Sequence, residues 1–207
     1  GKNDEGVFRW EKDINTFDSL NKVEKYNSNP IMFIGSSYIR MWKNIRTDLD
    51  YKDIIHRGFG GSNLRDVAYY IKRIVYPHQP KAIFIYVGND ITANEKDKTP
   101  DQVFELYKYV VKRIRMKFPE LPVVWLAIFP SEKRWAVWDK ICSANKLIRD
   151  YAANQYGLYY IDAGSLFLGP DKKPDPKYYR DDKLHFNAAG YKRWGNAIRK
   201  PVKKISS

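Results

Sequence analysis

Cysteine is nearly absent from this chain: Cys142 is the single thiol in 207 residues, which excludes an internal disulfide framework and a CxxC metal site. Long hydrophobic runs are missing as well. The longest, AIFIYV (82–87) and PVVWLAIF (122–129), fall far short of the ~20 apolar residues that a membrane-spanning helix needs. Basic residues are plentiful, 37 Lys and Arg against 24 Asp and Glu for a net charge of +13, yet no five of them follow one another. Spread along the whole chain and mixed with acids, they read as a solvated basic surface, and no nucleic-acid partner is expected. GxGxxG and GxxxxGK are both lacking, which counts against the phosphate-cradling loops of nucleotide binders. No repeat, low-complexity tract or linker divides the sequence, and nothing in it calls for a metal or a cofactor.

What is present is an alternation of short apolar runs with amphipathic ones. The length suffices to bury roughly 70% of the surface of the unfolded chain, so one core and a single domain over residues 1–207 are expected. Residues 1–30 are polar and read as an outer helical segment, with Phe17, Leu20, Val23 and Glu24 at helical spacing after a cap at Asn15 or Thr16. IMFIG (31–35) follows Pro30 and ends in glycine, as a short buried strand would, and SSYIRMWKNI continues as a helix. Asp53–His56 reads as a second strand, followed by a glycine-rich turn and a helix from Asn63 to Val75 that Pro77 terminates. Strands at 82–87, 122–129 and 158–162 alternate with helices at 100–118 and 138–154. Strands apolar on both faces require a covering layer on each side. The expected fold is therefore an α/β class, doubly wound, flavodoxin-like α/β/α sandwich around a mainly parallel five-stranded sheet. Ligands of such sheets bind beyond the carboxyl ends of the strands.

Polar residues follow the strands at four places. In FIGSSYIRMW, Gly35 permits a tight turn and Ser37 stands near a helix start, with its hydroxyl and its own N–H facing the sheet edge; the plainer role for Ser36 or Ser37 is to cap that helix. In RGFGGSN, Gly58, Gly60 and Gly61 allow close backbone approach to a ligand, and Ser62 or Asn63 caps the next helix, although a tight turn needs glycines whatever its function. In YVGNDIT, Asn89 offers a side-chain N–H donor or forms an Asx turn. In RDDKLHFNAAGYKRW, Asp182 stands three residues before His185 and can fold back to hold one ring nitrogen, which fixes the tautomer of a general base. Asp53 stands at that same spacing before His56, but inside the expected second strand, His78 has no such carboxylate, and His185 is taken as the base among the three histidines.

Together and in this order, over about Ile31 to Trp194, the four segments resemble the SGNH hydrolases, the GDSL-type lipase/acylhydrolase family. LHFNAAGYKRW is similar to that family's closing block, and GSSYIRMW to the GSSSIRMW form of a bacterial branch with many secreted or lipid-anchored esterases. The resemblance implies Ser37 as nucleophile, Asp182 and His185 as acid and base, and an oxyanion hole from Ser37, Gly61 and Asn89. Two departures stand out: Ser36 replaces the usual aspartate of GDSL, and the usual GxND reads Val87-Gly88-Asn89-Asp90, with the glycine shifted by one place.

The function so implied is a serine esterase that works through an acyl-enzyme, removing short acyl groups such as acetyl, with a carbohydrate as the molecule that carries them. Lipid or thioester substrates, a non-catalytic glycan-binding module and a flavodoxin-like phosphate binder are the rival readings. Arg134 and Trp135, in the segment after the fourth strand, are the candidates to meet a sugar, Arg134 an acidic one. The chain opens on Gly1 and not on methionine, and with the resemblance to an exported branch, a periplasmic or secreted location after removal of a signal is the expectation.

Overall fold

Five short segments form the centre of the molecule, four of them with nearly every side chain buried and the last, at one edge of the sheet, with one. In a computed structural model, which describes residues 5–28 and 30–207, they are β1 (Ile31–Gly35), β2 (Ile54–Gly58), β3 (Ile83–Tyr86), β4 (Val123–Leu126) and β5 (Leu158–Ile161). All pairings are parallel, in the order β2-β1-β3-β4-β5. Chain direction across the sheet reverses between β1 and β3, which is the switch point where such folds open a crevice.

The helices are α1 (Glu5–Phe8), α2 (Glu11–Val23), α3 (Ser37–Arg40), α4 (Ile45–Leu49), α5 (Leu64–Ile74), α6 (Pro100–Arg115), α7 (Trp138–Ala152) and α8 (Ala188–Ile205). α5, α6 and α7 pack side by side with α2 beside α5, while α4 packs on α8. Right-handed crossovers put these two sets on opposite faces of the sheet, which gives the expected sandwich. Sequence-local signals fix several ends: Thr99 and Gln102 form a capping box ahead of Pro100, and Asn63 forms one with Asp66. Between Ser62 and Asn63 as cap of α5, the structure thus selects Asn63. No helix among the described residues is long and apolar enough to cross a membrane.

Several boundaries differ from the sequence reading. α2 starts at Glu11, so Asn15 and Thr16 lie inside it, and the Thr16 hydroxyl bonds back to the Lys12 carbonyl at 3.0 Å. Packing sets that start: Trp10, Ile14 and Phe17 are buried, and Arg73 of α5 grips Glu11 at 2.7 Å and Asp18 at 2.6 Å. Val23, expected on the apolar stripe, faces solvent. Residues 1–4 and 29 of the expected outer segment lie outside the described residues. SSYIRMWKNI is split into α3 and the start of α4, because Trp42 leaves the helix to stack on Trp194 of α8, ring centroids 4.4 Å apart. β4 is half as long as its apolar run. Ile128 and Phe129 bend away, their N–H groups held by the Asn145 side chain at 3.0 Å and the Tyr86 hydroxyl at 3.1 Å. β2 runs two residues past His56 and carries a fully buried Arg57, whose guanidinium reaches Glu24 at 2.8 Å and Asn21 at 2.9 Å.

Candidate active site

The site begins with a glycine that nothing else can replace. Gly35 closes β1 at φ +146°, and a Cβ there would stand 1.9 Å from the Tyr86 carbonyl oxygen, so β1 and β3 meet with no room for a side chain. The chain then turns sharply. Ser36 is buried, and although it is the residue preceding α3, its side chain makes no capping bond. Ser37 opens α3 with its Oγ 2.8 Å from His185 Nε2. Capping, the competing role for the two serines, is therefore performed by neither.

His185 is held from below and from the side. Asp182 Oδ2 is 2.6 Å from His185 Nδ1, and Asp182 Oδ1 accepts the backbone N–H groups of Leu184 and His185, each at 3.0 Å. Burial pushes the Asp182 carboxyl up, but the imidazole and the two backbone donors outweigh it and hold the group down at about 2. An ionised carboxylate only accepts, so Nδ1 carries the proton, and in the neutral ring Nε2 is left to accept from Ser37. The Tyr38 hydroxyl donates to the Leu184 carbonyl, Tyr191 donates to the Tyr38 carbonyl at 2.7 Å, and Arg180 N–H donates to the His185 carbonyl at 2.8 Å. Asp181 faces a separate recess with Pro174, Tyr179 and Lys183. His56 is turned to the Ile39 carbonyl, and His78 is buried and pushed down to about 4 by that burial.

The second and third loops close the other side. Gly61 takes φ +78°, which favours glycine, and the Gly60 carbonyl is pinned by Trp10 Nε1 at 2.8 Å. Among the described residues, the backbone N–H groups of Ser37 and Gly61 have no hydrogen-bond acceptor. Asn89 Nδ2 donates to the Ser62 carbonyl at 2.8 Å. Next to it, Asp90 is buried, accepts from Leu64 N–H at 3.0 Å and pairs with Lys98 at 2.8 Å, which ties the β3 loop to the start of α5.

These residues surround an open cleft of about 430 Å³. Ser37, Gly61, Asn89 and His185 line it together, with Gly60, Asp13, Arg40 and Leu184. Arg134 and Trp135 do not line it: Arg134 is buried with both terminal nitrogens on the β3 loop, and Trp135 stacks on Trp138 at 6.1 Å. Trp42 and Trp194 are core residues. Arg40 lies within the GSSYIRMW motif, three residues after Ser37, so its sequence position carried a signal. Asp13 carried none, since it reaches the cleft only because α2 docks across α5.

The model of the GDSL-like lipase/acylhydrolase family matches residues 35–193. A proposed platelet activating factor from Streptococcus pneumonia has a similar structure at 21% identity and a TM-score of 0.80, covering 93% of this chain and 92% of that one. A proposed acylhydrolase from Bacteroides fragilis NCTC 9343 aligns at 22% identity and a TM-score of 0.79, over 93% of this chain and 97% of that one. An acetyl xylan esterase aligns at 18% identity and a TM-score of 0.67, over 84% and 99%. No curated protein sequence matches significantly. At these identities the structures speak for the fold, while the family match covers most of the chain, from the last residue of β1 into α8. The chain belongs to the GDSL-like lipase/acylhydrolase family and is a carboxylic ester hydrolase.

Proposed function

We propose that the protein is a serine esterase that removes short acyl groups, acetyl foremost, from esters of a polar alcohol such as a carbohydrate, through an acyl-enzyme on Ser37. The observation that carries this reading is the chain of contacts from Ser37 Oγ to His185 Nε2 at 2.8 Å and from His185 Nδ1 to Asp182 at 2.6 Å, opening on the cleft that Gly61 and Asn89 also line. His185 takes the Ser37 proton as Oγ attacks the ester carbonyl. The negative charge that develops on the carbonyl oxygen is received by the N–H groups of Ser37 and Gly61 and by Asn89 Nδ2. His185 then gives the proton to the departing alcohol, and the acyl group stays on Ser37. Water, deprotonated by the same imidazole, attacks the acyl-enzyme, releases the acid and restores the serine.

The preference for a short acyl group follows from the lining. Among the described residues that line the cleft, Leu184 is the one with an aliphatic side chain, against Asp13, Arg40 and Asn89, so a long acyl chain finds no continuous aliphatic wall to pack on. The hydroxyls of a carbohydrate find an acceptor in Asp13 and donors in Arg40 and Asn89. The same fold serves an acetyl xylan esterase, a protein that acts on an acetylated carbohydrate.

The test is hydrolysis of p-nitrophenyl acetate, butyrate and octanoate, and of a peracetylated sugar, by the wild type and by Ser37→Ala, with a serine-directed phosphonate as label. The expected result is kcat/KM falling with chain length, deacetylation of the sugar, one label on Ser37 and no turnover by Ser37→Ala. Activity rising towards octanoate overturns the short-acyl assignment. Absence of both turnover and label overturns the nucleophile.

A further inference from the structure

Among the described residues, Arg134 is a buried cation without a counter-charge. It sits in the 3-10 turn Glu132–Val137 after β4, is 8% exposed, and among the described residues pairs with no carboxylate. The acids around it are taken: Asp90 pairs with Lys98 and Glu132 with Lys183, each at 2.8 Å. Its Nη1 donates to the Gly88 carbonyl at 2.7 Å and its Nη2 to Asn89 Oδ1 at 2.8 Å. Burying a guanidinium on two neutral acceptors is costly, and its fork engages two consecutive residues of one loop.

We infer that Arg134 is a positioning residue for the oxyanion site: its fork locks the Asn89 side-chain amide with the N–H face turned to the cleft. This rests on the reading of Ser37 as nucleophile. The two ends of a side-chain amide have nearly the same shape, so an unconstrained asparagine presents either its oxygen or its N–H₂ group. A carbonyl oxygen aimed at the oxyanion would repel it. Here the choice is forced from both ends. Arginine has only donors, so Oδ1 must face Arg134, while the Ser62 carbonyl only accepts and draws one Nδ2 hydrogen at 2.8 Å. The second Nδ2 hydrogen is left for the cleft that Asn89 shares with Ser37 and Gly61. A hydrogen bond from a cation to Oδ1 also polarises the amide and strengthens its N–H as a donor.

The shifted glycine of this loop fits the same account. A Cβ on residue 88 would come within 3.1 Å of Arg134 Nη1 and 3.2 Å of Ile128 Cγ2. Glycine at 88 leaves room for the guanidinium, while Val87, at the place where the family has its usual glycine, is fully buried. The displaced glycine and the buried arginine act as one device.

The experiment is a double-mutant cycle of Arg134→Met and Asn89→Ala, with Arg134→Lys alongside, read as kcat and KM on p-nitrophenyl acetate, with thermal melts for each variant. Arg134→Met is expected to lower kcat roughly 10- to 100-fold with KM nearly unchanged, as misplacement of a catalytic donor does. Asn89→Ala is expected to cost about 10²- to 10³-fold. The double variant is expected within about threefold of Asn89→Ala alone, since Arg134 acts through that amide. Arg134→Lys, which keeps the charge and loses the fork, should recover part of kcat. Losses that multiply overturn the inference, as does a rise in KM at constant kcat, which would mark direct contact with substrate. If Arg134→Met does not fold, the cycle is run with Arg134→Lys under the same criteria. Phosphonate labelling of Ser37 in the wild type separates the two readings: no label refutes the nucleophile, while a label with multiplying losses refutes only the role of Arg134.

Discussion

Replacing Asp182 by asparagine keeps the shape of the site and reverses one proton. In the native loop, Asp182 Oδ1 accepts two backbone N–H groups and Oδ2 accepts from His185 Nδ1 at 2.6 Å. An asparagine amide would place its oxygen on the two backbone donors, which offer only hydrogens, and so turn its N–H₂ towards the imidazole. Nδ1 would then have to accept, the ring proton would move to Nε2, and Nε2 would no longer be able to take the proton of Ser37, 2.8 Å away. A wrong tautomer of this kind costs about 10⁴ in turnover in the serine-protease triad, or about 5 kcal/mol of transition-state stabilisation. The carboxylate here is 41% exposed, so water can compensate in part, and a loss of at least roughly 10³ in kcat is expected. The assay is steady-state hydrolysis of p-nitrophenyl acetate by Asp182→Asn and Asp181→Asn, with phosphonate labelling rates in parallel. Asp181 faces the neighbouring recess, and its variant should stay within about threefold of wild type, as a surface change away from the reacting groups does. Loss of turnover in Asp181→Asn, with Asp182→Asn active, would refute the assignment.

The depressed carboxyl of Asp182 also predicts how stability depends on pH. Its pKa falls from an ordinary 3.8 to about 2 in the folded state, so its contribution is present above 3.8 and is lost as pH falls through about 2. Chemical unfolding at pH 5, 3.5 and 2.5 should therefore show a steeper loss for wild type than for Asp182→Asn; parallel curves would count against the loop geometry. Gly35→Ala should destabilise the protein by about 3 kcal/mol or more, from left-handed backbone strain plus the clash with Tyr86, and a melt within a few degrees of wild type would contradict it. Gly61→Ala introduces a left-handed alanine with no atom closer than 3.9 Å, so it should fold, lose about 1 kcal/mol of stability and lower kcat more than KM by disturbing the N–H that faces the cleft. An unchanged kcat would remove Gly61 from the oxyanion site.

Much of the fold was legible because its signals are local. Short runs buried on both faces, such as 31–35 and 83–86, can only be central strands, and Pro100 with Thr99 and Gln102 marks a helix start within four residues. The order of strands and helices then leaves few topologies. Boundaries were less legible, since they depend on partners distant in sequence: α2 begins where Arg73 and the buried Trp10 hold it, and β4 ends where Asn145 and Tyr86 capture the next N–H groups. Arg57 in the middle of β2 had no sequence signal, because its acceptors, Asn21 and Glu24, belong to the outer segment.

By itself the sequence named the groups that the proposed chemistry uses. A serine after β1, a glycine turn after β2, an asparagine after β3 and an Asp-x-x-His pair before α8 each follow from residue type and spacing, and a sheet of this class delivers all of them to one edge. The Asp-x-x-His spacing and the family resemblance already pointed to Asp182 and Ser37 over their neighbours Asp181 and Ser36; the tertiary structure supplied the contacts themselves, with Ser37 and Asp182 on the two nitrogens of the His185 ring. It also decided that Arg134 turns inward to Asn89 while Arg40 and Asp13 face the cleft. Side-chain direction is set by what packs behind each residue, and that information is spread over the whole chain.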